Sequence, residues 1–274
     1  MRRLVIACYC CNFDGYDLLS AILERLRFAD AGVELSMFSD KPEYTARLCR
    51  QRERFGGCYT TFHGPYAEVE ATSPLDSPAH RRMVDAFSEA FDIYRRFDAH
   101  SLVIHTNQRA SKPEEKAGLH RNAIATLSEI ARSAAGAGVE LLVENVGETV
   151  HGNMLFDEDE FIALFDALPP SAGCLVDIGH AIVNDWDFER LISRLGARIK
   201  AYHLHNNDGS GDSHRPLFEA GMKYSPERLR SLFGTMELYT PDADWIVEYA
   251  PGPHITPELL VDDARRILDM IKRR

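Results

Sequence analysis

The chain has 274 residues, of which 45% are hydrophobic and 27% charged, and its formal net charge is −11. Proteins that bind nucleic acid usually present a basic face, so this acidic balance argues against DNA or RNA as a partner. No apolar stretch reaches the ~18 residues of a membrane span and no signal peptide is evident, so we expect no membrane partner and a cytoplasmic location.

Short apolar runs recur along the chain and predict eight β-strands. Each run is continuous in hydrophobicity instead of alternating with polar residues, as is typical of strands buried on both faces. The predicted strands are Leu4–Cys8, Val33–Phe38, Cys58–His63, Ser101–His105, Glu140–Glu144, Gly173–Asp177, Ala201–His205 and Trp245–Tyr249.

Helical patterns fill the gaps between these strands. Several begin with Ser or Thr followed by Pro, a pair that favours a helix N-cap and first turn. The predicted helices are Tyr16–Phe28, Pro42–Arg54, Pro78–Phe97, Pro113–Ala137, Asp157–Ala167, Asp187–Leu195, Pro226–Phe233 and Pro257–Lys272.

Eight strand–helix units are the number that closes a (β/α)8 barrel. We therefore predict an α/β fold, a single TIM-barrel domain over residues 1–274, because no linker or low-complexity segment divides the chain. The alternative is an open doubly wound sheet, which would need a G-x-G-x-x-G turn after the first strand. Residues 8–15, C-Y-C-C-N-F-D-G, do not supply that turn.

Histidine or carboxylate side chains stand at the ends of six consecutive predicted strands. In a TIM barrel the carboxyl ends of the strands meet at one mouth, where active sites lie. Clustered carboxylates repel each other and lose hydration there, and a bound cation is the simplest remedy. The residues are His63, His105, Glu144, Asp177 with His180, His203 with Asp212 and His214, and Glu248. So many imidazoles favour zinc or manganese, with cobalt or magnesium as alternatives.

The stretch from Lys200 to His214, K-A-Y-H-L-H-N-N-D-G-S-G-D-S-H, is the densest part of this pattern. Alternate side chains of a strand share a face, so His203 and His205 point the same way. Its glycine-rich end also fits a plain surface loop of turn-forming residues. The second predicted strand holds a further acid, Glu34, nearer its start.

On these residues, the sequence resembles the xylose isomerase-like TIM-barrel superfamily over essentially the whole chain. That group includes sugar isomerases and epimerases and, as a divergent branch, endonuclease IV of AP endonuclease family 2. In the isomerase branch, the resemblance implies one divalent metal held by Glu144, Asp177, His203 and Glu248. The two glutamates are then expected to exchange protons with the substrate. Some epimerase-like members carry a D-G-x-x-D-x-H loop, which Asp208 to His214 resembles.

The endonuclease IV branch implies a different site, a cluster of three zinc ions. Its nine-ligand pattern matches the same four residues together with His63, His105, His180, Asp212 and His214. A zinc phosphodiesterase therefore explains the ligand set better. The loops after the third and fifth predicted strands, residues 67–77 and 145–160, are acidic, and this fits a DNA-binding enzyme worse. The basic residues close enough to meet phosphates are Arg109, Lys112, Lys116 and Arg215.

We expect a metal-dependent isomerase or epimerase of a small sugar, polyol or sugar phosphate, with Glu144 and Glu248 as its catalytic residues. The residues expected to contact this carbohydrate-like substrate are His180, His214, Asn145 and Arg215. A hydrolase, a lyase or dehydratase, and a metal-binding partner module without activity are the alternatives. A homodimer and a monomer are both compatible with the sequence.

Overall fold

The computed structural model describes residues 3–26 and 31–272. Within them, parallel strands pair in chain order. The strands are β1 Leu4–Ala7, β2 Ala31–Met37, β3 Tyr59–Pro65, β4 Leu102–His105, β5 Leu141–Glu144, β6 Gly173–Asp177, β7 Ile199–Leu204 and β8 Asp244–Val247. Because β8 also pairs with β1, the sheet closes on itself. The closed barrel confirms the predicted (β/α)8 fold and excludes the open doubly wound sheet.

Helices pack around the outside of the barrel. They are α1 Tyr16–Leu26, α2 Pro42–Arg50, α3 Arg52–Phe55, α4 Pro78–Phe97, α5 Lys116–Gly136, α6 Glu158–Ala167, α7 Ile178–Val183, α8 Phe188–Leu195, α9 Pro226–Tyr239 and α10 Pro257–Lys272. In the part of the chain that the structure describes, no helix combines the length and apolarity needed to cross a bilayer.

Several element boundaries differ from the predicted ones. The helix predicted over Pro42–Arg54 is two helices, because the Gln51 N–H bonds three residues back to Leu48. The helix predicted from Pro113 begins at Lys116, after a turn, and α9 runs six residues past its predicted end. The sequence did not predict α7, and the predicted end of the first helix at Phe28 lies outside the described residues.

The two-residue period of the strands places the candidate site above an apolar floor. Inside the barrel, a small buried cluster consists of Val5, Ala7, Val103, Leu142, Leu175, Ala201 and Ile246. Side chains two residues further along a strand point the same way. The residues two positions after the last five of these are His105, Glu144, Asp177, His203 and Glu248. The same alternation therefore delivers five polar side chains to one end of the barrel.

Asp263 links α10 to the segment that follows β8. The buried Tyr249 hydroxyl donates a hydrogen bond to Asp263 Oδ2 at 2.9 Å and accepts one from the backbone N–H of Leu217. Burial raises the pKa of Asp263 to about 6, whereas an unfolded aspartate titrates near ~3.9. The folded state therefore holds this proton more tightly than the unfolded state. Its contribution to stability is lost as the pH rises from about 4 to about 6.

Asp263→Asn is expected to stabilise the protein increasingly as the pH rises. Asparagine keeps an oxygen acceptor for Tyr249 and removes the charge whose burial is costly. The gain in the free energy of unfolding should grow by about 1 kcal/mol between pH 5 and pH 8. Urea unfolding of both proteins at the two pH values measures this difference. An equal effect of the substitution at both pH values would contradict the raised pKa of Asp263.

Candidate functional site

The nine predicted ligand residues converge at the carboxyl end of the barrel. At their centre lies His203 on β7, which is fully buried. Its Nδ1 atom is 3.3 Å from Glu144 Oε1, 3.3 Å from Glu248 Oε2 and 3.7 Å from Asp177 Oδ2. These four residues are the set that the isomerase branch of the resemblance implies. That they bind a metal remains a prediction.

A second group extends this centre toward β3 and β4. The Nε2 atoms of His63 and His105 lie 3.0 Å apart, and each is 3.3 Å from Glu144 Oε2. Among residues 3–26 and 31–272, that buried oxygen has no hydrogen-bond partner. Ligands bound tetrahedrally to zinc at ~2.0–2.1 Å stand roughly 3.3 Å apart. Spacing, donor types and the orphaned oxygen all fit a divalent cation.

A third group extends the centre toward the loop after β7. The Nε2 atoms of His180 and His214 each lie 3.0 Å from Asp212 Oδ2. The loop is held in place because Glu148 Oε2 accepts a hydrogen bond from the Asp212 backbone at 2.7 Å. The other carboxylate oxygen of Asp212, Oδ1, is buried and has no hydrogen-bond partner within the described part of the chain. This group could also hold a cation.

The local charges favour the ionised form of two buried carboxylates, Glu144 and Asp177. Burial opposes ionisation, yet the imidazoles of His203 and His105 hold the pKa of Glu144 well below its usual range. Asp177 is also buried, and neighbouring imidazoles, His180 first among them, lower its pKa to about 2. Conversely, the carboxylates around His203 raise its pKa well above the usual value despite its burial. A cation would displace the protons that these imidazoles hold.

Hydrogen bonds to both its side chain and its backbone fix the position of Asp177. It is the N-cap of α7, where Oδ1 accepts from the His180 backbone at 2.8 Å. Its Oδ2 lies 2.9 Å from His205 Nε2. The Asn145 side chain donates to the Asp177 carbonyl at 3.0 Å and accepts from its N–H at 2.8 Å. Because both ends of this amide are engaged, Asn145 supports β6, and its predicted contact with substrate stays a prediction.

Two residues of the site were missing from the predicted set. His205 is fully buried and stacks on His214 with 3.7 Å between ring centroids. It fits there because Gly179 has no side chain: a Cβ atom would lie 1.8 Å from His205 Cε1. The spacing of His203 and His205 on one strand face was the available signal. The other residue, Glu34, lies 3.1 Å from His203 Nε2, and nothing local in the sequence indicated that contact.

Aromatic side chains from the first three βα loops line one side of the mouth. Tyr66 stacks on His63 with 4.2 Å between ring centroids, and Tyr9 meets His214 edge-on at 5.5 Å. Phe13 packs against Tyr9 at 5.0 Å and Phe38 at 5.1 Å. Phe13 has a φ of 65°, in the left-handed region that non-glycine residues seldom adopt. We call Tyr9, Phe13, Phe38 and Tyr66 the aromatic wall.

The basic residues expected near the mouth are mostly engaged by protein atoms. Arg109 Nε bonds to Thr72 Oγ1 at 3.1 Å, and Lys116 pairs with Glu160 at 2.6 Å. Arg215 forms a two-pronged ion pair with Glu219 on its own loop. Lys112 is exposed. The predicted role of Arg215 in binding substrate therefore stays a prediction, and it would require this ion pair to open.

The sequence of residues 20–271 matches the family model described as the xylose isomerase-like TIM barrel. This chain belongs to that family. No curated protein matches the chain. The matched range includes all nine predicted ligand residues, together with Glu34 and His205.

Solved structures with the family fold align over almost their full lengths. A zinc-bound IolI protein has a TM-score of 0.76 at 15% identity, covering 99% of this chain and 98% of its own. D-psicose 3-epimerase from Clostridium cellulolyticum H10, with D-tagatose, has a TM-score of 0.72 at 13% identity, covering 97% of each. AP endonuclease family 2 from Brucella melitensis has a TM-score of 0.71 at 18% identity, covering 97% and 99%. At these identities the likeness shows the fold of the family alone.

Proposed function

We propose that this protein is a divalent-metal-dependent isomerase or epimerase of a small, unphosphorylated sugar or related polyhydroxy ketone. The observation that carries the proposal is the placement of two glutamates around one histidine. Glu144 on β5 and Glu248 after β8 come from strands that do not pair, yet each lies 3.3 Å from His203 Nδ1. Two carboxylates therefore flank one position at the centre of the mouth.

In this proposal, the two glutamates move a proton on and off a carbon atom of the substrate. Glu144, Asp177, His203 and Glu248 would hold the metal, which supplies polarisation of a carbonyl and its neighbouring hydroxyl. One glutamate would remove a proton from the carbon beside that carbonyl, and the other would return a proton. Which of them acts as the base depends on the handedness of the substrate. The apolar floor beneath them, with Leu142 and Ile246, keeps water from entering below.

The surroundings of the site favour a substrate without a phosphate group. A phosphate is normally met by arginine, lysine or a helix N-terminus. Lys116 and Arg215 are already paired with Glu160 and Glu219, Arg109 bonds through Nε to the Thr72 hydroxyl, and Lys112 is exposed. The aromatic wall instead offers ring faces, which suit the apolar C–H face of an uncharged molecule. We therefore place free sugars ahead of sugar phosphates.

Deuterium exchange tests the proposal without requiring the natural substrate. The metal-loaded protein is incubated in D2O with D-psicose and D-tagatose, the ketoses named for one structural neighbour, and with the phosphate ester of a ketose. We expect deuterium to enter at the carbon beside the carbonyl of a free ketose, detected by NMR. Exchange confined to the phosphate ester would contradict the choice of an unphosphorylated substrate. Absence of exchange across a wider panel of ketoses would contradict an isomerase or epimerase that works by proton transfer.

A zinc phosphodiesterase is the second candidate, because two outer ligand groups flank the central one. His63 and His105 share Glu144 on one side, and His180, Asp212 and His214 form the other group. Such a cluster suits generation of hydroxide and stabilisation of a leaving oxygen. Elemental analysis of protein purified without added metal discriminates between the candidates. One zinc or manganese ion per chain supports the isomerase, whereas three zinc ions with cleavage of an abasic-site duplex support the phosphodiesterase.

A further inference from the structure

Glu34 is a buried carboxylate that contacts the predicted metal ligand His203 but is not itself one of the nine predicted ligands. It lies on β2, on the barrel interior, with 1% of its surface exposed. Its Oε1 atom is 3.1 Å from His203 Nε2, and its Oε2 atom lies 3.5 Å from the Thr61 hydroxyl. Burying an ionised carboxylate costs several kcal/mol unless it is paired. The partner that Glu34 meets here is His203.

The two ring nitrogens of His203 face different surroundings. Nδ1 faces Glu144, Glu248 and Asp177 at 3.3, 3.3 and 3.7 Å, whereas Nε2 faces Glu34. A neutral imidazole carries one N–H and one lone pair. A cation held among the three carboxylates would take the lone pair of Nδ1, so the ring hydrogen would stand on Nε2, where Glu34 accepts it.

We propose that Glu34 is a positioning residue that fixes this tautomer and ring orientation, so that His203 presents Nδ1 to the divalent cation. Histidines bound to metals usually donate their other N–H to such an acceptor, which also makes the ligand more basic. The inference rests on the metal site of the proposed function and is independent of the reaction catalysed there. Because metal binding is measured without substrate, failure of the isomerase proposal would leave this inference intact.

A purely structural role for Glu34 makes a different prediction. In that case its replacement would lower the stability of the barrel without changing metal affinity. Asp244 offers a matched comparison, because it is another inward-facing buried carboxylate, at the opposite end of the barrel. It accepts hydrogen bonds from the Tyr59 hydroxyl at 2.6 Å and from the Arg3 backbone at 2.8 Å.

The first test measures the affinity of the purified chain for Co²⁺. The protein competes with a chelator for the ion, and the absorption spectrum of the bound Co²⁺ reports the fraction bound. Glu34→Gln should weaken binding about 10- to 100-fold, the usual cost of losing an outer carboxylate. The amide can turn its NH2 group toward Nε2 and support the opposite tautomer. Glu34→Asp should also weaken binding, because its carboxylate is one methylene shorter. Asp244→Asn should change the unfolding midpoint and leave Co²⁺ affinity unchanged.

The second test needs no substitution of Glu34 and covers the case in which those variants fail to fold. Nitrogen-15 NMR of the zinc-loaded protein reports the tautomer of His203, assigned with a His203→Asn variant. We expect hydrogen on Nε2 and zinc on Nδ1. Hydrogen on Nδ1 would overturn the proposal, as would wild-type Co²⁺ affinity in folded Glu34→Gln protein. A wild-type chain that binds neither metal would overturn it as well.

Discussion

Glu248→Gln is expected to reduce turnover about 1,000-fold at saturating metal, within the range for loss of a general acid or base. Glutamine keeps the shape of the side chain and an oxygen that can still face His203, but it cannot take up or release a proton. Glu248 is buried, and its Oε2 atom lies 3.6 Å from His214 Nδ1 in addition to its contact with His203. The other two carboxylates around His203, those of Glu144 and Asp177, lie on β5 and β6.

The measurement is the rate of deuterium exchange into the ketose that the wild-type protein labels. Metal content is determined on the same samples, so that loss of proton transfer is separated from loss of metal. Glu258→Gln, an exposed substitution on α10 that removes an ion pair with Arg25, serves as the control and should retain full activity. Exchange within a few-fold of wild type in metal-saturated Glu248→Gln protein would remove Glu248 from the proposed mechanism.

Glu144→Gln is expected to weaken metal binding by more than about 100-fold. Outer carboxylates that only support a ligand already contribute 10- to 100-fold, so a ligand should contribute more. Glu144 also belongs to two ligand groups at once, because Oε1 faces His203 and Oε2 faces His63 and His105. Its loss should therefore affect the metal content of both groups, whichever metal is bound.

Elemental analysis and Co²⁺ titration of Glu144→Gln protein check this expectation. The matched control is Glu140→Gln, which makes the same substitution in the same segment, four residues earlier. Glu140 is exposed and lies at the opposite end of the barrel, so the control should bind metal like the wild type. Undiminished stoichiometry in Glu144→Gln protein would contradict the assignment of Glu144 as a shared ligand.

The residues at the strand ends were predictable from local sequence patterns. A parallel barrel buries both faces of its strands, so each strand is a continuous apolar run that the sequence displays openly. The period of two then determined which side chains share the barrel interior. His105, Glu144, Asp177 and His203 follow apolar interior residues at that spacing. For this reason the fold and the main residues of the candidate site were predictable without coordinates.

Segments with weaker periodicity were predicted less well. The six-residue helix α7 is too short to show a helical pattern, and it forms because Asp177 caps it directly after β6. The predicted helix over Pro42–Arg54 divides at Gln51, because the N–H of Gln51 bonds to the carbonyl three residues earlier instead of four. Such local choices depend on a few hydrogen bonds, which residue types alone specify poorly.

By itself, the sequence determined the barrel, the side of it that carries the chemistry, and the residue types gathered there. Only the tertiary structure decided which of those residues touch. Glu34 meets His203 across 169 residues of chain, and Asn145 holds the backbone of Asp177 instead of standing free. The ion pairs and hydrogen bonds of Arg109, Lys116 and Arg215 likewise could not be predicted from the sequence. The physical reason is that periodicity records which way a side chain points, whereas partners are set by the closure of the barrel and the paths of its loops.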